Sequence, residues 1–395
     1  MRHADLATYL PGGLKMKAEL LAESIVHLER LHVLAPHDGA LAAELAKAHA
    51  RLADLQLPGL SLSLERPDEA RVHAARALVL FPLGEPASRD DAELYVWWGR
   101  ALRAQAVLAR HAGQPDAALA IQRRTRRLLH AALSRFASHR ALRFELASVL
   151  LGIGQALCTW FVASLERAEE ALAVFDEARI EFERLAADQP DDGDAPYQLG
   201  TVAGARQIAL FKLGRLADAV TAGREAVRQR DRALALAPQH SAYREGAAGE
   251  RSNLTLMLLH ARFVDEAVQV SLEGEALIRA LEADDPAVPT WTQRRRWFAL
   301  QTGRALLAAG RAAEAETRLA EAMLAMPAPT AGATLARRGL CALELARARR
   351  ALGRDDGARD SAALAIEALA ARVAEAADDA DSVAHLAAAR AFITV

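Results

Sequence analysis

The sequence predicts an all-α protein built from about seven long helical hairpins, and three observations support this prediction. Hydrophobic residues make up 52% of the 395 residues but aromatic residues only 5%, so the apolar content is mostly Ala and Leu, the composition of packed helices. A turn motif recurs at nearly even intervals along the chain. No β-rich run of alternating polarity reaches a useful length. These features are typical of a helical repeat protein.

The predicted turns inside the hairpins share one short pattern. An apolar helix end reaches Gly, then Arg, then three mostly small or acidic residues, and Ala follows five positions after the Gly. Clear copies lie at 213–219, 308–315 and 351–358, a fourth at 111–118, and looser copies at 64–70, 165–171 and 260–267. The turns therefore fall near residues 65, 113, 166, 214, 261, 310 and 353, about 48 residues apart on average.

Each part of this pattern has a physical reason. Gly can adopt the left-handed conformation that ends a helix, and the acidic residues after it suit the positive N-terminal end of the next helix. The later Ala, as at Ala219 and Ala315, is small enough for two helices to approach closely. Each repeat is therefore predicted to be an antiparallel pair, with helix A before the turn and helix B after it. Between repeats, Pro and Asp mark the end of helix B and the capped start of the next helix A.

The hairpin turn and the Pro-containing break resemble the tetratricopeptide repeat (TPR). The best match is 297–327, where Gly303 and Gly310 lie seven residues apart, as the two helix A positions of that family do, and Ala315 follows. The resemblance implies a right-handed superhelical solenoid whose A helices line a concave face that receives peptides. It covers nearly the whole chain.

The repeats are longer than those of the family, which contain about 34 residues. Gly99, Gly152 and Gly200 each lie fourteen residues before a turn. This spacing places one additional heptad in helix A, which adds two helical turns and leaves the same face toward helix B.

The prediction divides the chain into three parts. Residues 1–13 are expected to be a poorly ordered leader, and residues 14–379 form the TPR-like solenoid. Residues 380–395, with the apolar sequence SVAHLAAARAFITV at 382–395, are expected to form a C-terminal capping helix over the last repeat.

A second, narrower resemblance lies in residues 20–56. This segment looks like the start of the repeat region that follows the catalytic domain in many bacterial serine/threonine protein kinases. His49 and Ala53 replace the Tyr and Gly of that pattern. The kinase motifs themselves are missing, so the resemblance carries over no catalytic residue. The matching residues are Leu28, Leu31, Asp38, Leu41, Glu44, Leu45, Ala46, Ala48, Arg51, Asp54 and Gln56.

Composition argues against several function classes. With 49 basic and 51 acidic residues the net charge is −2, which removes the case for a nucleic-acid protein held by bulk positive charge. No window of 18 uncharged apolar residues offers a membrane span, and residues 1–13 lack the apolar core of a signal peptide. Cys158 and Cys341 are lone thiols within apolar helical runs. A cytoplasmic protein is therefore expected.

Motifs for catalysis, cofactors or metals are not found. The twelve His residues form no HExxH or His/Cys cluster, and no G-x-S-x-G is present. The glycines of GRALLAAGR lack the Lys-Ser/Thr of a phosphate-binding loop. The sequence therefore predicts neither an enzyme nor a cofactor or metal site.

Two basic clusters allow two interpretations each. The run at 121–130 contains Arg123, Arg124, Arg126 and Arg127, which fit a solvated helix face or, alternatively, an anionic partner. The run at 293–300 combines three arginines with Trp and Phe, which fit packing against the preceding helix or stacking on a ligand.

The candidate binding residues come from the TPR resemblance. Aromatic side chains fall on predicted A helices, namely Tyr95, Trp97, Trp98, Trp160, Phe161 and Tyr197. With the turn glycines as register marks, the positions predicted to face the groove carry arginines, namely Arg100, Arg103, Arg110, Arg304, Arg347 and Arg350. Several arginines in one groove favour an acidic peptide or a C-terminal carboxylate.

The predicted function is a non-catalytic scaffold or signalling module that binds a protein or peptide on its concave face. The alternative is a regulator whose superhelix closes on a small effector or peptide. An enzyme with an unfamiliar site is a third class, which a solenoid disfavours because it lacks a deep pocket. The partner's identity and the oligomeric state do not follow from the sequence.

Overall fold

Sixteen α-helices and no strand form the part of the chain that the computed structural model describes, which is residues 13–394 without 59–62, 82–90, 161, 287, 327–332 and 378. The predicted all-α repeat class is thereby confirmed. Residues 1–12 of the predicted leader lie outside the described residues, and Gly13 begins the first helix. By its packing the chain divides into two compact units, Met1–Glu250 and Arg251–Val395.

Unit 1 contains four hairpins preceded by one helix. Its A helices α2, α4, α6 and α8 lie side by side, and each pairs with the B helix that follows it. The bounds are α1 (Gly13–Leu34), α2 (Gly39–Gln56), α3 (Pro67–Leu80), α4 (Ala92–His111), α5 (Pro115–Arg135), α6 (Arg140–Leu157), α7 (Ala168–Asp188), α8 (Asp194–Lys212) and α9 (Leu216–Leu236). Helix α10 (Ser241–His260) begins in unit 1 and ends in unit 2.

Unit 2 continues the same arrangement. The end of α10 turns into α11, α12 pairs with α13, α14 pairs with α15, and α16 packs on α15. The bounds are α11 (Val264–Asp284), α12 (Pro289–Ala308), α13 (Ala312–Ala325), α14 (Ala333–Ala351), α15 (Asp355–Glu375) and α16 (Ala380–Thr394).

All seven hairpin turns contain a residue in the left-handed region of backbone conformation. Four of them are glycines, and the residue after each donates its backbone N–H to the carbonyl five positions back, as in a helix-ending Schellman motif. The other three turns reach the same conformation without glycine. The seven φ values are 50° at Glu65, 75° at Gly113, 56° at Glu166, 73° at Gly214, 64° at Arg262, 73° at Gly310 and 71° at Gly353.

The alanine five positions after each of these residues is buried in every hairpin. The close approach of helices A and B at the turn therefore leaves no room for a larger side chain. These alanines are at most 2% exposed and are Ala70, Ala118, Ala171, Ala219, Ala267, Ala315 and Ala358.

The extra glycines in the A helices only partly behave as predicted. A Cβ atom on Gly99 or Gly200 would contact Leu129 or Arg230 on the B helix of the same hairpin. Gly152 instead lies against Gln122 of the preceding B helix, so the prediction that it faces its own helix B is wrong. In α6 the glycine that contacts its own helix B is Gly154, two residues further on. The ring of Phe175 on α7 packs against the backbone there.

Two A helices, α2 and α4, begin with the predicted aspartate cap, whereas α8 and α12 begin without a side-chain cap. The Asp38 side chain accepts hydrogen bonds from the backbone N–H groups of Ala40 and Leu41, and Asp91 caps α4 in the same way. None of the described helices is long and apolar enough to span a membrane.

Candidate functional site

A cavity of about 480 Å³ in unit 1 is lined mainly by A helices. Helices α4, α6 and α8 form most of its wall, and the start of α10 continues it. The B helices contribute Ala118 and Gln122 from α5 and Arg230 from α9. We call this cavity the unit 1 channel. Most of its lining comes from successive A helices, which the TPR resemblance predicts to line the binding groove.

Arg110 lines the channel from the last turn of α4. Its Nη1 atom donates to Oε1 of Gln155 on α6 at 2.8 Å, while its Nε atom is buried with no hydrogen-bond partner among the described residues. Burial lowers the pKa of Arg110 to about 10, so the guanidinium remains charged at neutral pH. Its unused N–H can donate to a ligand.

Arg103 lies seven residues earlier on the same face of α4 and lines the channel too. Its Nε atom donates to Oε1 of Glu145 at 2.8 Å, and its Nη2 atom lies 3.6 Å from Oδ1 of Asp54. Burial by itself lowers the pKa of Arg103, but the carboxylates of Glu145 and Asp54 raise it well above its ordinary value. Arg103 therefore joins three A helices as well as bordering the channel.

Arg100 is bound to the same carboxylate. Its Nε atom lies 3.5 Å from Oε2 of Glu145, whose side chain is 2% exposed, and its guanidinium lies 4.3 Å from the ring centre of Trp97. Removing the charge of Arg100 or Arg103 would therefore leave a buried carboxylate less compensated. The side chain of Glu145, which the sequence analysis did not single out, explains the position of both arginines.

Arg230 is a lining residue that the sequence analysis missed, because it lies on a B helix. Its guanidinium lies 3.7 Å from the ring centre of Tyr197, and its Nη2 atom donates to Thr201 and Glu250. It reaches this place because Gly200 lies against its side chain, where any Cβ atom would clash. The sequence offered one signal for Arg230, which is the glycine Gly200 on an A helix facing a long basic residue of the paired helix.

An aromatic group closes the α8–α10 end of the channel. The rings of Tyr197 and Tyr243 stack with centres 5.1 Å apart, and His240 stacks on Tyr243 at 3.8 Å. The hydroxyl of Tyr243 donates to Asp194 at 2.7 Å, and burial raises the pKa of Asp194. Burial also lowers the pKa of His240 to about 4, so this histidine is neutral at pH 7.

The charged lining of the channel is mostly basic. Lys17, Arg103, Arg110 and Arg230 line it, whereas Asp194 is the acidic residue among its lining side chains. Amide side chains of α5, α6 and α8 lie between these charges. Such a surface favours a ligand that carries negative charge and hydrogen-bonding groups.

The other three predicted arginines lie in unit 2. Arg304 on α12 and Arg347 on α14 both approach Glu344, at 3.8 Å and 2.9 Å. Arg350 donates to the backbone carbonyl of Phe392 at 2.7 Å, and its guanidinium lies 3.6 Å from the ring centre of that residue. The six predicted arginines therefore form one group in each unit, and each group is tied to neighbouring helices.

The predicted groove aromatics are mostly packing residues. Tyr95 and Trp98 are 1% and 6% exposed, and Trp98 stacks on Phe81 with ring centres 6.0 Å apart. Trp160 follows the end of α6 and contacts Phe211, so its predicted place on an A helix is wrong, and Phe161 lies outside the described residues. Among these aromatics, Tyr197 lines the channel.

The two basic runs are explained by packing and ion pairs. Arg126 forms an ion pair with Glu177 of α7, the next B helix, at 2.8 Å, and Arg124 is exposed. In the second run Phe298 is 1% exposed, and Nε1 of Trp297 donates to Ser252 at 3.0 Å. The interpretation of both runs as surface and packing features agrees with these contacts.

No group of three or more His, Cys, Asp or Glu side chains within the described ranges could hold a metal ion. Both cysteines are buried free thiols, and burial raises the pKa of Cys341 to about 12.

Comparison with known proteins supports the fold class. No family model and no curated sequence matches the chain. Among solved structures, a Signal Transduction ATPase with Numerous Domains (STAND) protein with a tetratricopeptide repeat sensor, from Pyrococcus horikoshii, is similar, with a TM-score of 0.55 and 13% identity. The match covers 94% of this chain and 50% of that one. The chain therefore has a TPR-like fold.

Two further structures are similar over most of their length. The quorum sensor NprR from B. thuringiensis in its apo form has 11% identity and a TM-score of 0.46, and the match covers 90% of this chain and 98% of that one. A tetratricopeptide repeat protein from Parabacteroides merdae has 14% identity and a TM-score of 0.38, with coverage of 82% and 93%.

Proposed function

We propose that this protein is a non-catalytic module that binds an acidic, extended segment of a protein or peptide in the unit 1 channel. The basic lining of the channel carries this proposal, because Lys17, Arg103, Arg110 and Arg230 border it together with the acidic Asp194. Arg110 and Arg230 are the lining residues proposed to contact the ligand most directly, since the Nε of Arg110 and the Nε and Nη1 of Arg230 are buried with no hydrogen-bond partner among the described residues. Carboxylates would satisfy those donors.

The direction of the channel supports an extended ligand. Helices that pack side by side are about 8–10 Å apart, so the path from α4 to α10 is roughly 27 Å long. An extended chain rises about 3.3 Å per residue, so a segment of about eight residues matches this path. The rings of Tyr197 and Tyr243 provide an apolar surface at one end.

The arginines divide between two roles in this proposal. Arg103 and Arg100 hold the channel wall through their ion pairs with Glu145. Arg304, Arg347 and Arg350 belong to unit 2 and lie outside the channel, so a role in partner binding would need a separate surface.

A signalling or scaffold role is the finer part of the proposal. The repeat sensor in the similar Pyrococcus horikoshii protein supports it. The resemblance of residues 20–56 to the repeat region of bacterial serine/threonine kinases stays a prediction from the sequence, which the comparisons do not support. A regulator that responds to a small effector is the alternative, and it uses the same channel. The two differ in the length of ligand that they require.

Fluorescence anisotropy with labelled hexaglutamate tests the proposal. We expect saturable binding that weakens with added salt, and much weaker binding of hexalysine. Arg110→Gln should weaken hexaglutamate binding about tenfold, because one charge-assisted hydrogen bond is lost. The matched control Arg124→Gln removes the same charge from the exposed face of α5 and should change binding less than about twofold.

An equal loss of hexaglutamate affinity in Arg110→Gln and Arg124→Gln would show general charge attraction without a specific site. Binding of hexalysine as tight as that of hexaglutamate would contradict the proposal. Stabilisation of the protein by N-acetylglutamate as strongly as by hexaglutamate would favour the small-effector alternative.

A further inference from the structure

Helix α1 exposes a stripe of side chains with a heptad pattern. Its inner face packs Ala18 and Ile25 against α2. On the opposite side, residues at alternating spacings of four and three form what we call the outer stripe: Met16, Leu20, Glu23, His27, Arg30 and Leu34. All six are exposed. A repeating spacing of four and three is the pattern of a helix that packs along a second helix.

The outer stripe is apolar at its ends and charged in its centre. Met16, Leu20 and Leu34 are 52%, 58% and 82% exposed, which is unusual for three large apolar side chains on one helix face. Leu31, 52% exposed, lies beside the stripe and widens its apolar end. The side chains of Glu23 and Arg30 are exposed between these apolar residues.

The order of these residues makes the stripe complementary to itself when two copies run in opposite directions. In an antiparallel pair centred on position 25, residues whose numbers add up to 50 face each other. Met16 then meets Leu34, and Glu23 meets His27 of the other copy, in each case twice by symmetry. The aliphatic part of Arg30 covers Leu20 while its guanidinium lies near the acidic residues of the partner helix.

A parallel pair lacks this complementarity. There, in the same register, Glu23 would face a second Glu23 and Arg30 a second Arg30, which places like charges together. The charge pattern therefore favours the antiparallel pair centred on position 25 over the parallel pair. The antiparallel pair needs a partner helix with the same pattern, which a second copy of this chain provides.

We infer that the outer stripe of α1 is a self-association surface, on which two copies of this chain form an antiparallel, two-fold symmetric helix pair. This isologous contact uses the same residues on both copies and closes at a dimer. It is independent of the unit 1 channel proposed above, because it uses the outer stripe of α1 and none of the arginines that border the channel.

Light scattering of the full chain across micromolar concentrations tests the surface. We expect the mass to rise to twice that of one chain as concentration increases. Leu20→Glu should abolish this rise, because it places a charge in the apolar part of the stripe. Leu324→Glu, at a side chain that is 89% exposed on α13, is the matched control and should leave the dimer intact. A wild-type chain that stays monomeric, or a dimer insensitive to Leu20→Glu, would overturn the inference.

Cysteine cross-linking tests the orientation. Met16 and Leu34 are about 27 Å apart along α1, so a residue at one end cannot reach its own counterpart in an antiparallel pair. The double variant Met16→Cys, Leu34→Cys should form a disulfide-linked dimer under mild oxidation, whereas Met16→Cys alone should not. The native cysteines are buried and provide a low background. Efficient cross-linking of Met16→Cys alone would show a parallel pair and reject the proposed register.

Discussion

Three hairpin turns place a side chain in a backbone conformation that favours glycine. Glu65, Glu166 and Arg262 have positive φ values, like the glycines at the other four turns. For an L-residue this conformation costs about 1 kcal/mol or more. Glu166 is partly compensated, because its carboxylate accepts hydrogen bonds from Ser164 and Lys212. Arg262 is exposed, so its turn is held in shape by the two helices that it connects.

Exchanging residues at these turns should change stability in opposite directions. Arg262→Gly should raise the free energy of unfolding by up to about 1 kcal/mol, because strain is relieved. Gly214→Ala should lower it by about 1 kcal/mol, although nothing lies within 4 Å of the added Cβ atom, because φ is 73°. Urea unfolding followed by circular dichroism measures both changes.

Gly249→Ala is the control for replacing glycine by alanine where the backbone conformation is not left-handed. Gly249 is helical, its φ is not positive and its Cβ position is empty, so this substitution should raise stability by about 0.5–1 kcal/mol. If Gly214→Ala also raised stability, the explanation by backbone conformation would be wrong.

At the scale of the helices, the hairpins are closed by small residues and joined by charged ones. Ala219 and its six equivalents let helices A and B approach at each turn. Between hairpins, Glu145 of α6 binds two arginines of α4 from a nearly fully buried position. Because each A helix depends on its neighbours for such contacts, the stability of a hairpin is shared with the next one.

Ala219→Trp should separate α8 from α9. We expect a loss of about 2–3 kcal/mol or more in the free energy of unfolding, since the position is fully buried and cannot hold a large ring without moving a helix. Ala217→Trp adds the same ring two residues earlier, where the side chain is exposed, and should change stability by less than about 0.5 kcal/mol. Similar melting temperatures for the two variants would show that Ala219 is not a helix contact.

At the scale of the whole molecule, each unit is a stack whose hairpins cannot bury their apolar faces alone. In unit 2 the last hairpin is covered by α16, where Leu386 and Ala389 are buried against Leu343 and Leu369 of α14 and α15. We interpret α16 as a cap of this stack, because its buried side chains cover the apolar faces of α14 and α15.

This interpretation predicts different effects for two positions on α16. Leu386→Asp should detach the helix, lower the melting temperature and increase the fluorescence of a hydrophobic dye, because the faces of α14 and α15 become exposed. Val383→Asp is the control, since that side chain is 43% exposed. A dye signal that stays at the wild-type level in Leu386→Asp would contradict a capping role.

Much of the fold could be predicted because its signals are local. A glycine that ends a helix, an alanine five residues later and a Pro or Asp before the next helix depend on a few neighbouring residues. The three turns without glycine were found because the spacing and the alanine remained, as at Glu65 and Ala70. The candidate site was less predictable. Trp98 and Arg110 lie on the same helix, yet one fills the core and the other lines the channel.

The amino-acid sequence by itself determined the class of this protein, the number of hairpins and the position of every turn, because helix ends and close helix contacts are decided within short segments. The tertiary structure alone decided which side chains line the channel. Arg230 reaches it from a B helix, and Glu145 holds Arg100 and Arg103 from a neighbouring hairpin. The physical reason is geometric: one residue of register turns a side chain by 100° around its helix, and the charges that position it come from segments far away in sequence.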